Sequence, residues 1–160
     1  MNLGSVACAL LLGAAASAWA GSGDVLANNP WLRESVPGQD TASLQMNLTS
    51  IRPARLVAVS SPLSAAVKIQ RLYPERGKVK AREVDSLRLP KRYTVVFGDK
   101  DFALMLVGLK KQLNAGDRVP VSLTVEFSDK RTLKLDIEAE VKPLDLSYKH
   151  YRGREVQDHR

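Results

Sequence analysis

Val119-Pro120-Val121-Ser122-Leu123-Thr124-Val125-Glu126-Phe127 alternates apolar with polar side chains. Leu133-Lys134-Leu135-Asp136-Ile137-Glu138-Ala139-Glu140-Val141 repeats the alternation after the polar break Ser128-Asp129-Lys130. A period of two puts every second side chain on the same face of a β-strand, so each segment has one face to bury and one to wet. Two such segments joined by a short polar turn predict a long antiparallel hairpin. Glu138 and Glu140 fall on its wet face, where they are spaced for solvent and not for acid–base chemistry.

Upstream of this hairpin the β signal continues. Phe102-Ala103-Leu104-Met105-Leu106-Val107 is almost wholly apolar, which predicts a strand buried on both sides with Met105 as core filler, a role Met46 shares. Ser43 to Asn47, Arg55 to Ser60, Val67 to Leu72 and Tyr93 to Phe97 are further strand candidates. Ile51-Arg52-Pro53, Ser60-Ser61-Pro62 and Gly98-Asp99-Lys100-Asp101 supply turns between them. Tyr73-Pro74-Glu75-Arg76-Gly77 turns the chain into Lys78-Val79-Lys80-Ala81-Arg82, whose alternation predicts a hairpin with one cationic face. Residues 21–39 read as a loose entry with Trp31 as an aromatic anchor. Seven to eight short strands without helical periodicity predict an all-β antiparallel sandwich, because each sheet has one apolar face to hide.

Residues 1–20 carry no charge, hold an apolar run from Val6 to Ala18 and end in Ala18-Trp19-Ala20, the pattern of an export signal. Three parts follow: a signal peptide over 1–20, a sandwich domain over 21–142 and a polar, mobile tail over 143–160. Cys8 is the one cysteine, and the apolar run continues past it, unlike the end of a lipoprotein signal. Beyond the signal there is no thiol, so disulfides, thiolate metal sites and a Cys nucleophile are excluded from a periplasmic product. The body also lacks His and a glycine-rich phosphate loop, so the chain does not read as an enzyme. The formal net charge is +7. Lys68 to Arg92 holds nine basic residues against three acidic ones, and Lys68, Arg71, Arg76, Lys78, Lys80 and Arg82 mark it as a surface for an anionic protein or lipid partner. Nucleic acid is not expected outside the cytoplasm.

Four stretches carry a resemblance: Trp31-Leu32-Arg33, Arg55-Leu56-Val57-Ala58-Val59-Ser60-Ser61-Pro62, Leu104-Met105-Leu106-Val107-Gly108-Leu109-Lys110, and Gly116-Asp117-Arg118-Val119-Pro120-Val121-Ser122-Leu123-Thr124. Together they resemble the periplasmic copper chaperones of the PCu(A)C family. The resemblance implies a cupredoxin-like Greek-key sandwich and Cu(I) delivery towards the copper centre of a terminal cytochrome oxidase, through an oxidase or copper-delivery assembly partner. It also implies a His, Met, His, Met ligand set with ten, twenty-one and one residues between successive members. Anchored on Val107-Gly108-Leu109, that frame falls on Gln70, Ala81, Ala103 and Met105, of which only Met105 keeps a family ligand. Cu(I) selects thioether sulfur and imidazole nitrogen, so the frame reads as a degenerate copper site. His150 and His159, both in the tail, are the only imidazoles able to replace the lost ligands. Two expectations stand side by side: a chaperone relative still serving copper delivery, and a metal-independent envelope module that holds an acidic partner on the basic hairpin.

Overall fold

The computed structural model describes residues 23–144. The strands are β1 (Val25–Arg33), β2 (Thr41–Ser50), β3 (Ala54–Ser60), β4 (Ser64–Glu75), β5 (Lys78–Glu83), β6 (Leu87–Leu89), β7 (Thr94–Phe97), β8 (Phe102–Leu109), β9 (Arg118–Phe127) and β10 (Thr132–Lys142). No helix occurs among the described residues, so the all-β expectation holds, with ten strands in place of seven to eight. The export signal and the tail with His150 and His159 lie outside the described residues.

The two alternating segments pair as β9 and β10 without a slip, from Glu140 opposite Arg118 to Thr132 opposite Glu126. Val119, Val121, Leu123 and Val125 point inward with Leu135, Ala139 and Val141, while Ser122 and Asp136 meet on the wet face. Leu44, Met46 and Leu48 of β2, Leu56 of β3 and Leu104 and Leu106 of β8 join them in one core. Met46 is core filler, as expected. Each fully buried Leu contributes about 1.5–3 kcal/mol, so this shared interior holds the two layers together without any covalent staple.

The strands form one continuous ladder in the order β5-β4-β8-β7-β2-β1-β10-β9-β3-β6. The loose entry expected over residues 21–39 is instead the strand that joins the layers. Val25 to Asn28 pairs antiparallel with β2, the register shifts before Trp31, and Trp31 to Arg33 then runs parallel to Glu140–Lys142 of β10. Asn29 makes the corner at φ 51°, a left-handed conformation that Asn tolerates better than most residues, and Pro30 follows it. Asn-Asn-Pro looks like a loop in sequence because the device that bends the strand uses loop residues. Beyond the corner Leu32 is fully buried, and the Lys142 ammonium lies 4.8 Å from the Trp31 ring centre. β6 escaped the sequence reading because three residues are too few to display a period, although Leu87 and Leu89 are buried around exposed Arg88.

β8 also departs from expectation. Ala103, Leu104 and Leu106 are buried, but Met105 and Val107 are only half-buried, so the strand is not enclosed on both sides and Met105 is not core filler. In a two-layer sandwich only one face of each sheet meets the other layer. The apolar run reflects a core face plus an outer face of modest polarity.

Candidate functional site

Strand pairing decides which of the frame positions meet. Gln70 of β4 lies directly opposite Ala103 of β8, and Lys68 lies opposite Met105. On the other side of β4, Ala81 of β5 lies opposite Leu72 and Glu83 lies opposite Gln70. Side chains alternate along each strand and match across it. Gln70, Ala81, Ala103 and Met105 therefore share one sheet face, the face turned away from the core that buries Ile69 and Leu104. Three strands gather four positions that the chain keeps far apart.

Two further side chains stand on that face. The Lys68 Nζ donates to Glu83 Oε2 at 2.8 Å, so the ion pair bridges β4 and β5 beside Gln70. What the face offers a metal is one thioether from Met105, one amide from Gln70 and the methyl groups of Ala81 and Ala103, next to an ammonium already held by a carboxylate. Cu(I) binds soft sulfur and imidazole donors, so these residues do not fit it. The Lys68–Glu83 pair was readable in principle. Glu75 opposite Lys78 across the Arg76-Gly77 turn fixes the hairpin register, which carries back to Gln70 opposite Glu83.

Arg76 and Gly77 have φ of 50° and 76°, the two left-handed positions of a tight two-residue hairpin turn. Beyond it β5 is exposed throughout its length. The basic side chains take the reverse face of the hairpin: Arg71 opposite Arg82, Tyr73 opposite Lys80 and Glu75 opposite Lys78, with an ion pair between Lys80 and Glu75. Leu72, Pro74, Val79 and Ala81 alternate with them on the frame face. Lys68 shares the frame face, while Lys80 and Arg82 are turned away from it. Among the described residues no three His, Cys, Asp or Glu side chains come together as a metal-holding group.

The model of the family described as "Putative lipoprotein LpqE-like" matches residues 25–137, from the start of β1 well into β10. The chain belongs to the LpqE-like family. A curated relative of this LpqE-like chain is named "Putative lipoprotein Lxx21020", from Leifsonia xyli subsp. xyli (strain CTCB07); it is 26% identical over 153 residues, covering 94% of this chain and 90% of the relative. Among solved structures, the copper-bound PCuAC domain from PmoF2 has a TM-score of 0.58 at 22% identity over 76% of this chain and 95% of that one. The apo PCuAC domain from PmoF1 has a TM-score of 0.60 at 19% identity, over 76% of this chain and 96% of that one. The Cu(I)-bound protein DR1885 from Deinococcus radiodurans has a TM-score of 0.55 at 26% identity, over 79% and 85%. These likenesses show the cupredoxin-like sandwich.

The LpqE-like fold also divides the basic window of residues 68–92, which the sequence presented as one feature. Arg71 to Arg82 belongs to the β4–β5 hairpin, whereas Arg88 is on β6 and Lys91 follows it, at the other edge of the ladder. Arg88 lies opposite Arg55 of β3, and both line a groove of about 650 Å³ with Lys91, Lys130, Glu126 and Phe127. Glu126 is engaged by Lys130 at 3.4 Å, and Arg55 donates to Ser86 Oγ at 3.0 Å. Arg52 stands beside the groove, with its guanidinium 4.3 Å from the centre of the Phe127 ring, and pairs with Asp24 at 2.5 Å. The Arg131 side chain, hydrogen-bonded to Asp129, holds that carboxyl below the ordinary range, and nearby Arg52 adds to the effect. No signal in the sequence marked this second cluster, because Arg55 and Arg88 meet only through β3–β6 pairing.

Proposed function

We propose that this LpqE-like protein is an envelope protein of copper-chaperone descent that works as a metal-independent binding module, holding an acidic polypeptide on the β4–β5 hairpin. The observation that carries the reading is the make-up of that hairpin. Its frame face bears the Lys68–Glu83 ion pair between ligand positions occupied by Gln70, Ala81 and Ala103, while its reverse face gathers Arg71, Lys78, Lys80 and Arg82. A compact set of like charges on a fully exposed strand attracts an oppositely charged partner and makes its capture depend on salt. The role is binding.

Anaerobic Cu(I) titration against a competing chelator tests the metal half of this reading. The expected result is no competition through the sandwich, and a tight one-to-one site would overturn it. Partner capture from an envelope extract tests the other half: charge reversal at Lys78, Lys80 and Arg82 is expected to abolish it, and unchanged capture would remove the hairpin from consideration. Capture by anionic vesicles alone would assign the surface to lipid instead.

A second reading draws on the copper-bound structures among the similar folds. In it the protein still serves copper delivery towards a cytochrome oxidase, through Met105 or through His150 and His159, or by assisting a competent partner. Cu(I) and Cu(II) titrations of the full chain and of a version ending at Lys142 decide it, since loss of binding on truncation is what a tail site requires. Both readings place the protein in the periplasm. The lipoprotein names of its relatives support an envelope location and make Cys8 the residue to examine for acylation, by labelling of wild type and Cys8→Ala.

A further inference from the structure

Among the described residues β5 ends the hydrogen-bonded ladder and pairs only with β4. The direction of its free backbone groups follows from two bonds. Val84 N–H donates to the Ile69 carbonyl at 2.9 Å, which makes these two a hydrogen-bonded pair, and Leu72 N–H donates to Asp101 at 2.8 Å, away from β5. Bonded and non-bonded pairs alternate along an antiparallel ladder. Arg71–Arg82, Tyr73–Lys80 and Glu75–Lys78 are thus the bonded pairs, and the N–H and C=O groups of Val79 and Ala81 point out from the open edge.

This edge is unlike the other one. β6 is three residues long and runs into Pro90, whereas β5 is six residues long, free of proline and in unbroken register. An edge of that length is a template for an added strand whose charges do not clash with its own. A second copy of the chain is a poor occupant, because pairing β5 with itself sets Lys78, Lys80 and Arg82 against the same charges, and like charges across a ladder destabilise it. An acidic strand has the opposite sign. Alternate Asp or Glu side chains would meet the basic face, and the apolar residues between them would extend the other face, where Val79 is 64% exposed.

We propose that β5 is a site of β-strand addition, occupied by an extended segment of a partner protein in which acidic and apolar residues alternate. The inference rests on the reading of the hairpin as the partner surface and specifies how that surface is used. Main-chain bonds to the edge set affinity for an extended backbone, and the alternating faces set its register.

The test uses a fluorescent eight-residue peptide of alternating Glu and Val, the same peptide N-methylated at alternate residues in each of the two phases, and the full chain. Anisotropy should show binding of the plain peptide, at least ten-fold weaker binding of the N-methylated peptide whose methyl groups face β5, and slowed hydrogen exchange at the Val79 and Ala81 amides. Ala81→Pro removes an edge donor without touching the bonds to β4, and should also weaken binding about ten-fold, the effect of roughly one net hydrogen bond. Equal binding of both methylated peptides and of Ala81→Pro, with Val79 and Ala81 unprotected, would overturn strand addition. If the Lys78, Lys80 and Arg82 reversal still abolished binding in that case, the hairpin would remain the partner surface. Failure of that reversal to weaken peptide binding would overturn both. Because the methylated peptides leave the protein unaltered, the result does not depend on how Ala81→Pro folds.

Discussion

The two faces of β8 come from one eight-residue strand and obey different rules. Leu104 and Leu106 on the inner face are fully buried in the core, whereas Met105 on the outer face is half-buried between Ser43 of β2 and Lys68 of β4. The inner face is constrained by volume, since a close-packed interior registers the loss of even a methylene. The outer face is constrained by whatever it must bind, and packing asks little of it at Met105, though Ala103 beside it is buried. A sandwich can therefore keep its architecture while the side chains on its outer face vary, and here that face displays Gln70, Ala81 and Ala103. Leu104→Ala is expected to cost about 3 kcal/mol in urea unfolding, within the usual range for a buried Leu. Met105→Ala should cost well under half of that, and equal losses at the two positions would break the comparison.

Gly108 sharpens it one step further along the same strand. Its φ is 68°, and a Cβ there would lie 2.8 Å from the Cβ of Ala65 on β4. Ser64 pairs with Leu109 and Ala66 with Val107, so the glycine lets β4 and β8 close where a side chain would separate them. Gly108→Ala combines a left-handed backbone with a steric overlap and should cost about 2 kcal/mol. Calorimetry measures the loss. A neutral outcome would mean that the two strands can part at this point without disturbing the frame face.

At the far end of the hairpin the same left-handed preference works against the native residue. Arg76 holds φ at 50° in the two-residue turn, where Asn is the better-suited side chain. Arg76→Asn should raise stability by about 0.5–1 kcal/mol, or leave it unchanged if the exposed hairpin opens independently of the sandwich. Amide exchange at Lys78, Lys80 and Arg82 separates these outcomes, since only local opening would slow there without a change in the β9–β10 amides.

The residues legible in sequence were those whose environment is local. The alternation of residues 119–127 and 133–141 led to β9 and β10 because one period and one turn suffice to define a hairpin. The same logic placed the Lys78–Arg82 strand and its cationic face. The frame positions could be counted along the chain, but their coincidence on a single face depends on two strand registers, of which only the β4–β5 register has a local turn to set it. β1 was missed because Asn29 and Pro30, which bend it from one layer to the other, are also loop residues. The groove around Arg55 and Arg88 was missed because its parts meet across strands that no turn connects.

The Lys68–Glu83 pair carries the smallest expected effect and bears most directly on the outer face. Its side chains are 40% and 56% exposed, so water screens the attraction, and a double-mutant cycle on Lys68→Ala and Glu83→Ala should return a coupling of less than about 1 kcal/mol that shrinks with added salt. A pair worth so little does not hold β4 to β5. Its consequence is chemical: it places an ammonium beside Gln70 and Met105 at almost no cost to the fold. Replacing Lys68 with Ala, Gln70 with His, Ala81 with Met and Ala103 with His is expected to leave the strands in place and to produce a one-to-one Cu(I) titration, with none expected from the parent protein. The His at position 103 is the demanding step, because Ala103 is only 4% exposed and its neighbours must yield room. If the grafted protein folds and still ignores Cu(I), the four positions do not form a metal frame, and the two faces of β8 differ in packing alone.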